Sequence, residues 1–307
     1  MNAIEISGLC KRFKGKKHSV VDALNNLDLQ IEQGEVFGFL GPNGAGKSTT
    51  IKLVMGLLRP TAGTASIMGV DSTMTDSRRQ VGFLPENPAF YDYLSAEEYI
   101  AFVGSQFKMD PSLLKRHSEE VLKRLDLWEA RRRPMRGYSK GMVQRVGLAQ
   151  ALVHDPEVYI LDEPMSGLDP IGRALVKDII LDLKKRGKSV FFSTHITDDV
   201  EKVCDRVGVI VKGSLVAVDR VENILKSGVE GYMIHLQQPE VDFDSFAGIK
   251  AIRRNGDVSE FYVPCSVFND FMGEVTQNGL EVVLIETKRR DLEDFFLSLV
   301  ASELVSL

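Results

Sequence analysis

Residues Gly41-Pro42-Asn43-Gly44-Ala45-Gly46-Lys47-Ser48 follow the pattern G-x-x-x-x-G-K-[ST]. These residue types suit one chemistry, the cradling of a triphosphate. Glycines let the chain curl until successive N–H groups point inward at phosphate oxygens. A helix leaving such a loop adds the positive end of its dipole. Lys47 can reach the β- and γ-phosphates, and the Ser48 hydroxyl can ligate Mg²⁺. A second stretch, Val158-Tyr159-Ile160-Leu161-Asp162-Glu163, is four apolar residues followed by two acids. A buried strand there would carry the acids to its carboxyl end, where α/β sheets bind ligands. Asp162 would support the metal, and Glu163, one residue on, can polarise an attacking water. Many strands end in acids, and the loop pattern arises by chance in roughly one chain in a hundred. The two together are far more specific and point to triphosphate hydrolysis. A dinucleotide fingerprint is disfavoured, because Gly44-Ala45-Gly46 runs into Lys47-Ser48-Thr49 with no third glycine.

Elements must hold these groups in place. Glu35–Leu40 (EVFGFL) reads as a buried strand that delivers the loop. Thr49–Leu58 reads as the helix that leaves it, stopped at Arg59-Pro60 and followed by turn residues Thr61–Gly63. Val158–Leu161, Ser189–Phe192 and Val207–Val211 read as further strands, with Ala174–Lys185 helical between the first two. Strands alternating with helices predict βαβ units around a largely parallel sheet, an α/β fold. A helix-rich insert spans about 96–153, with helices expected at Ala96–Phe107, Pro111–Leu125 and Gly141–Val153 and a basic run at Arg131-Arg132-Arg133. Past about Leu225 the texture changes to short strands at Tyr232–Leu236, Ile249–Arg253, Phe261–Val263 and Val282–Glu286. Amphipathic helices are expected at Val267–Gln277 and Asp291–Glu303, with a linker at Lys226-Ser227-Gly228. The expected organisation is a nucleotide-binding domain over 1–225 and a small α+β appendage over 226–307.

Composition narrows the partners. The 307 residues carry a net charge of −5, with 44% hydrophobic and 26% charged residues, ordinary for a globular protein with a sizeable core. With no basic footprint, nucleic acid is not expected as a partner. No stretch approaches the roughly 18 apolar residues of a membrane span, and Met1–Phe13 has no apolar leader core. The expectation is a cytoplasmic protein that reaches a membrane only through a partner. Cys10, Cys204 and Cys265 are too scattered for a disulfide framework or a zinc site.

With these residues in hand, the sequence resembles the ATP-binding subunits of ABC transporters over about residues 3–220. The likeness rests on GPNGAGKST at Gly41–Thr49, YSKGMVQR at Tyr138–Arg145, YILDEP at Tyr159–Pro164, SGLDP at Ser166–Pro170 and STH at Ser193–His195, in the family's order. It implies a P-loop NTPase core of ABC type with a helical insert. It also implies two such domains packed head to tail, with each ATP between one subunit's phosphate loop and the other's signature segment. Nucleotide contacts are then expected from Phe13, Gly41, Pro42, Asn43, Gly44, Ala45, Gly46, Lys47, Ser48, Thr49, Ser139, Gly141 and Asp169. Catalytic roles fall to Glu163, His195 and Lys47, and Mg²⁺ ligation to Ser48, Asp162 and Glu86. Phe13 would stack on adenine, His195 would contact the γ-phosphate and the attacking water, and Asp169 would lie at the subunit interface.

Two departures from the family pattern matter. Lys140 and Met142 stand in a signature usually written Leu-Ser-Gly-Gly-Gln, with Tyr138 for its leucine, while Ser139 and Gly141 match. That variant resembles the branch serving separately encoded ABC-2-type exporter membrane proteins. Glu86 stands where a glutamine is usual; it keeps an oxygen ligand but adds a negative charge. The implied partners are a second ATP-binding subunit and an integral membrane permease, on the cytoplasmic face of the membrane. Two other functions compete: a soluble ATP-driven regulator or nucleic-acid-associated ATPase on the same nucleotide domain, and a small-molecule P-loop kinase. A kinase has no need of the signature or SGLDP segments.

Overall fold

Alternating burial along Asn2–Lys14 (β1) and Val20–Glu32 (β2) pairs these strands antiparallel, with Ile4, Ile6, Leu9, Leu27, Leu29 and Ile31 turned inward. In this computed structural model the described residues are 1–14, 20–226, 229–237, 249–255, 258–289 and 291–305. Val36–Leu40 (β3) is buried at every position, as a strand covered on both faces must be. It feeds Lys47–Val54 (α1). Ala62–Ile67 (β4) and Val70–Asp71 (β5) complete an antiparallel sheet of order β2-β1-β4-β5.

Next come Val81–Leu84 (β6), Ala96–Gln106 (α2), Pro111–Arg124 (α3), Lys140–Leu152 (α4) and Val158–Asp162 (β7). Then follow Pro170–Lys185 (α5), Ser189–Thr194 (β8), Thr197–Val203 (α6), Arg206–Val211 (β9), Ser214–Arg220 (β10) and Val221–Lys226 (α7). The second sheet has the order β10-β9-β3-β8-β7-β6 and is parallel except at the β9/β10 pair. One core joins α1 to both sheets through Ile4, Leu29, Phe37, Phe39, Ile51, Val54, Ile67, Ile160 and Phe191. Phe191 meets Phe37 and Phe39 at centroid distances of 6.1 and 5.5 Å. Each buried aromatic there contributes roughly 1.5–3 kcal/mol.

Helix starts in the insert are set by side chains. Ser95 and Glu98 form a reciprocal capping box on α2, and Asp110 caps α3 ahead of Pro111. Ser139 caps α4, and Asp169 caps α5 ahead of Pro170.

The chain divides into two compact units, Met1–Val221 with Leu299–Leu307, and Glu222–Ser298. The second unit holds Val229–Gln237 (β11), Lys250–Asn255 (β12), Val258–Pro264 (β13), Phe268–Gln277 (α8) and Glu281–Arg289 (β14). Its antiparallel sheet has the order β12-β13-β11-β14, and Ile234, Leu236, Phe261 and Val263 pack against Phe271 and Val275 of α8. A last helix, α9, spans Leu292–Val305.

Several expectations need correction. The helix after the phosphate loop ends at Val54, not near Leu58, because Gly56 turns the chain with φ +65°. Ala62 and Gly63, read as turn residues, already belong to β4. The antiparallel sheet, α6 and β10 are additions that the sequence pattern does not announce. Ser227 and Gly228, read as part of a linker, lie outside the described residues.

Candidate functional site

The phosphate loop joins β3 to α1, as its chemistry requires. Gly46 has φ +114°, and a Cβ there would lie 2.8 Å from the Ala23 carbonyl oxygen, so only glycine fits. Lys47 donates to the carbonyl oxygens of Gly41 at 2.7 Å and Pro42 at 3.3 Å, and pairs with Glu163 at 3.3 Å. A cavity of about 400 Å³ opens over the loop. Asn43, Gly44, Gly46, Lys47, Ser48 and Thr49 line one side, with Glu86 and Glu163 beside them. Val21, Asp22, Ala23, Lys212 and Gly213 close it.

The acids arrive as expected at the carboxyl end of β7. Ser48 Oγ lies 3.2 Å from Asp162 Oδ1 and 3.4 Å from Glu86 Oε2. Ser193, at the end of β8, donates to Asp162 at 2.6 Å and accepts the Glu163 N–H at 2.9 Å. Burial pushes the Asp162 carboxyl up, the Ser193 and Ser48 hydroxyls oppose that, and the charges of Glu86 and Glu163 add to it. Glu163 has φ +49°, a left-handed conformation that costs a non-glycine residue about 1–3 kcal/mol. Its carboxylate meets His195 Nδ1 at 3.0 Å, and the His195 side chain is 44% exposed, open to a ligand.

The oxygens of Ser48, Glu86 and Asp162 make a hard, anionic donor set that fits Mg²⁺ and no soft metal. Among the described residues no group of three or more His, Cys, Asp and Glu is placed to hold a metal by itself.

Other expected residues stand apart from the cavity. Ser139 accepts the Met142 N–H at 3.2 Å and Asp169 accepts the Gly172 N–H at 2.8 Å, each capping its own helix. Gly141 faces Leu168 and Gly167, and the Lys140 stem lies against Gly167, so the signature and SGLDP segments adjoin. Ser139, Gly141 and Asp169 do not line the cavity. Phe13 is 37% exposed and pairs across the sheet with Val21, which does line it. Lys11 sits 5.0 Å from the Phe13 ring centroid.

Sequence reasoning passes over Ser193, Gln144, Val21–Ala23 and Lys212. Ser193 and Gln144 fall inside the STH and YSKGMVQR segments, which is the available signal. Val21–Ala23 have none, because only the β1/β2 register brings them to the loop.

Residues 24–166 match the ABC transporter family profile. A relative from Nostoc sp. strain PCC 7120, the uncharacterized ABC transporter ATP-binding protein all4389, is 37% identical over 94% of this chain and 86% of its own length. The chain belongs to the family of ABC transporter ATP-binding proteins. It is accordingly an ATP-binding subunit and an ATPase. A second relative, the uncharacterized ABC transporter ATP-binding protein sll0415 of Synechocystis sp., is 43% identical over 72% of this chain; the match spans 62% of that relative's length. Among solved structures, the dimeric bacterial ABC transporter cassette MJ0796 is 25% identical at a TM-score of 0.66, covering 71% of this chain and 98% of its own. The α/β P-loop fold is thereby the family's.

Proposed function

We propose that this ATPase powers transport, in the export direction, through a separately encoded membrane protein on whose cytoplasmic face it sits. The observation that carries the reading is the split of the expected site. The loop, Glu86 and Glu163 share one cavity, while Ser139, Gly141 and Asp169 lie outside it. A second subunit would complete such a site, and the MJ0796 cassette is dimeric. Among the described residues no helix is long and apolar enough to cross a membrane, and in this reading the membrane path belongs to a partner. Tyr91, Tyr93 and Phe102 are exposed in the segment that follows Glu86 and offer that partner an aromatic face. Export rests on the Tyr-Ser-Lys-Gly-Met form of the signature.

In this mechanism the loop N–H groups and Lys47 hold the β- and γ-phosphates, and Phe13 stacks on the base. Ser48, Glu86 and Asp162 would hold Mg²⁺, which offsets charge on the phosphate oxygens when bound. Glu163 orients water for in-line attack and accepts its proton, and His195 Nδ1 donates to Glu163, leaving Nε2 to the nucleotide. The partner's signature serine hydroxyl and glycine N–H meet the γ-phosphate from across the interface. ATP closes two subunits and hydrolysis releases them, so work is done on the attached membrane protein.

The test has two arms. Glu163→Gln should lower turnover about 10²–10⁴-fold while an ATP-bound dimer accumulates, and parental turnover would remove Glu163 from its role. A tagged chain should recover a polytopic membrane protein from solubilised membranes. Recovery only in soluble complexes would favour the regulator reading instead.

A further inference from the structure

Glu163 needs more than its own sequence to stay where it is. With φ +49°, it holds a conformation that an L-residue adopts only when its surroundings enforce it. Its N–H is fixed by Ser193 Oγ at 2.9 Å. Its carbonyl oxygen is fixed by Gln144 Nε2 at 3.3 Å, and the same amide donates to the Pro164 carbonyl oxygen at 3.3 Å. Gln144 is only 4% exposed. A primary amide has two N–H donors, so one side chain can satisfy two adjacent carbonyls and set the turn between them.

Gln144 sits on α4, the helix capped by Ser139. Further along α4, a Cβ on Gly147 would lie 2.6 Å from Leu84 and 3.2 Å from Pro88. Gln150 then donates to the Phe83 carbonyl at 3.3 Å and bonds Tyr99. Positions 144, 147 and 150 share one helix face. That face is locked against the Glu163 turn and against the strand leading to Glu86. The first turn of the same helix presents Ser139 and Gly141.

We propose that Gln144 is a positioning residue that ties the signature helix to the catalytic carboxylate of its own subunit. It keeps Glu163 in the left-handed turn that sets its carboxylate beside Lys47 and His195. Through α4, a γ-phosphate gripped at Ser139 and Gly141 bears on the Glu163 that serves the other ATP. The last step rests on the two-subunit reading proposed above.

The test replaces Gln144 by Met, which keeps length and removes both donors. Val146→Ala is the control, a buried truncation on the same helix, about 200° around it from Gln144. Gln144→Met should lower kcat about 10- to 100-fold, the range for small misplacement of a reacting group. KM for ATP should stay within about threefold. In the Glu163→Gln background, ATP-dependent dimer formation should persist. Val146→Ala should keep kcat within about twofold of the parent despite a lower Tm. Parental kcat in Gln144→Met, an equal fall in Val146→Ala, or loss of the ATP-dependent dimer would each overturn the proposal. Where Gln144→Met does not fold, Gln144→Glu decides the matter. Protonated, the introduced carboxyl donates to one carbonyl; ionised, it repels both. The kcat of Gln144→Glu relative to the parent should therefore rise as pH falls, and a flat ratio overturns the proposal. A parent that neither hydrolyses ATP nor dimerises with it would sink the two-subunit reading, a result distinct from any of these.

Discussion

The phosphate cavity and the signature surface are built in opposite ways. Lys47, Ser48 and Glu163 of the cavity wall are tied to one another and to Asp162, Ser193 and His195 behind it by hydrogen bonds and ion pairs. On the surface, Ser139 and Asp169 each cap the helix they begin, and among the described residues their side chains bond only there. Cavity residues therefore act as a unit, and their substitutions should be strongly non-additive. Ser139 and Asp169 are aimed by the helices they begin, so the same cap that starts a helix also aims a donor outward. In the proposed two-subunit reading, the cavity binds nucleotide by itself, whereas the surface works only against another subunit's nucleotide.

Gly141→Asp is the sharpest way to break that contrast. An added Cβ meets only ordinary contacts, the nearest being Leu168 at 3.5 Å. An acid in the first turn also suits the helix dipole, so stability should hold. Facing a γ-phosphate, the new charge repels it. The expected result is loss of the ATP-dependent dimer and a fall in kcat of about 10²-fold, the cost of one transition-state donor. ATP binding to the monomer should change less than about threefold. Equilibrium binding and sizing measurements check both, and weakened monomer binding would erase the distinction between the two regions.

Phe13→Ala probes the cavity's outer rim. Stacking on a base contributes about 1–3 kcal/mol, so ATP affinity should fall roughly 5- to 150-fold, with kcat at saturation little changed. Equal losses for ATP and for inorganic triphosphate would show that Phe13 touches no base.

What can be read in the sequence follows the same division. The phosphate loop, β7 with its acids and the helices α2, α3, α4 and α5 depend on local spacing, and each is found within a few residues of its expected place. The β1/β2 pair escapes because its register shifts between Ile6 and Leu9 and again between Leu9 and Lys11, and the adjacent exposed Asn25 and Asn26 interrupt the alternation of β2. Its inward residues become obvious only once the core shared with α1 is seen. Val21 and Lys212 enter the cavity through strand register and a distant turn, neither of which leaves a local mark. Gln144 and Ser193 stand inside recognised segments, yet what they bond is tertiary: the backbone of Glu163 in both cases. The early end of α1 follows from Gly56, which outweighs the more visible Arg59-Pro60.

The smallest expected effect concerns the far end of the signature helix, where α4 is anchored rather than exposed. His154 stacks on Phe107 at a centroid distance of 3.6 Å, and its Nε2 lies 3.1 Å from the Val81 carbonyl oxygen. Nδ1 is buried and has no partner among the described residues, so a proton there would be an unsatisfied donor. Burial accordingly pushes His154 down from the ordinary 6.5 to about 4. Between those values the unfolded chain binds a proton that the folded chain refuses, so stability falls as pH drops through that window and is fully present above it. Discounted for partial exposure, the loss is of order 1 kcal/mol. His154→Gln keeps a donor for Val81 and cannot titrate. Urea unfolding at pH 7 and pH 5 should show a smaller drop for this variant than for the parent, with ATP affinity at pH 7 unchanged. An identical drop in both would mean that other groups carry the acid sensitivity. A change in ATP affinity at pH 7 would mean that the anchored end of α4 is coupled to the cavity more tightly than its packing implies.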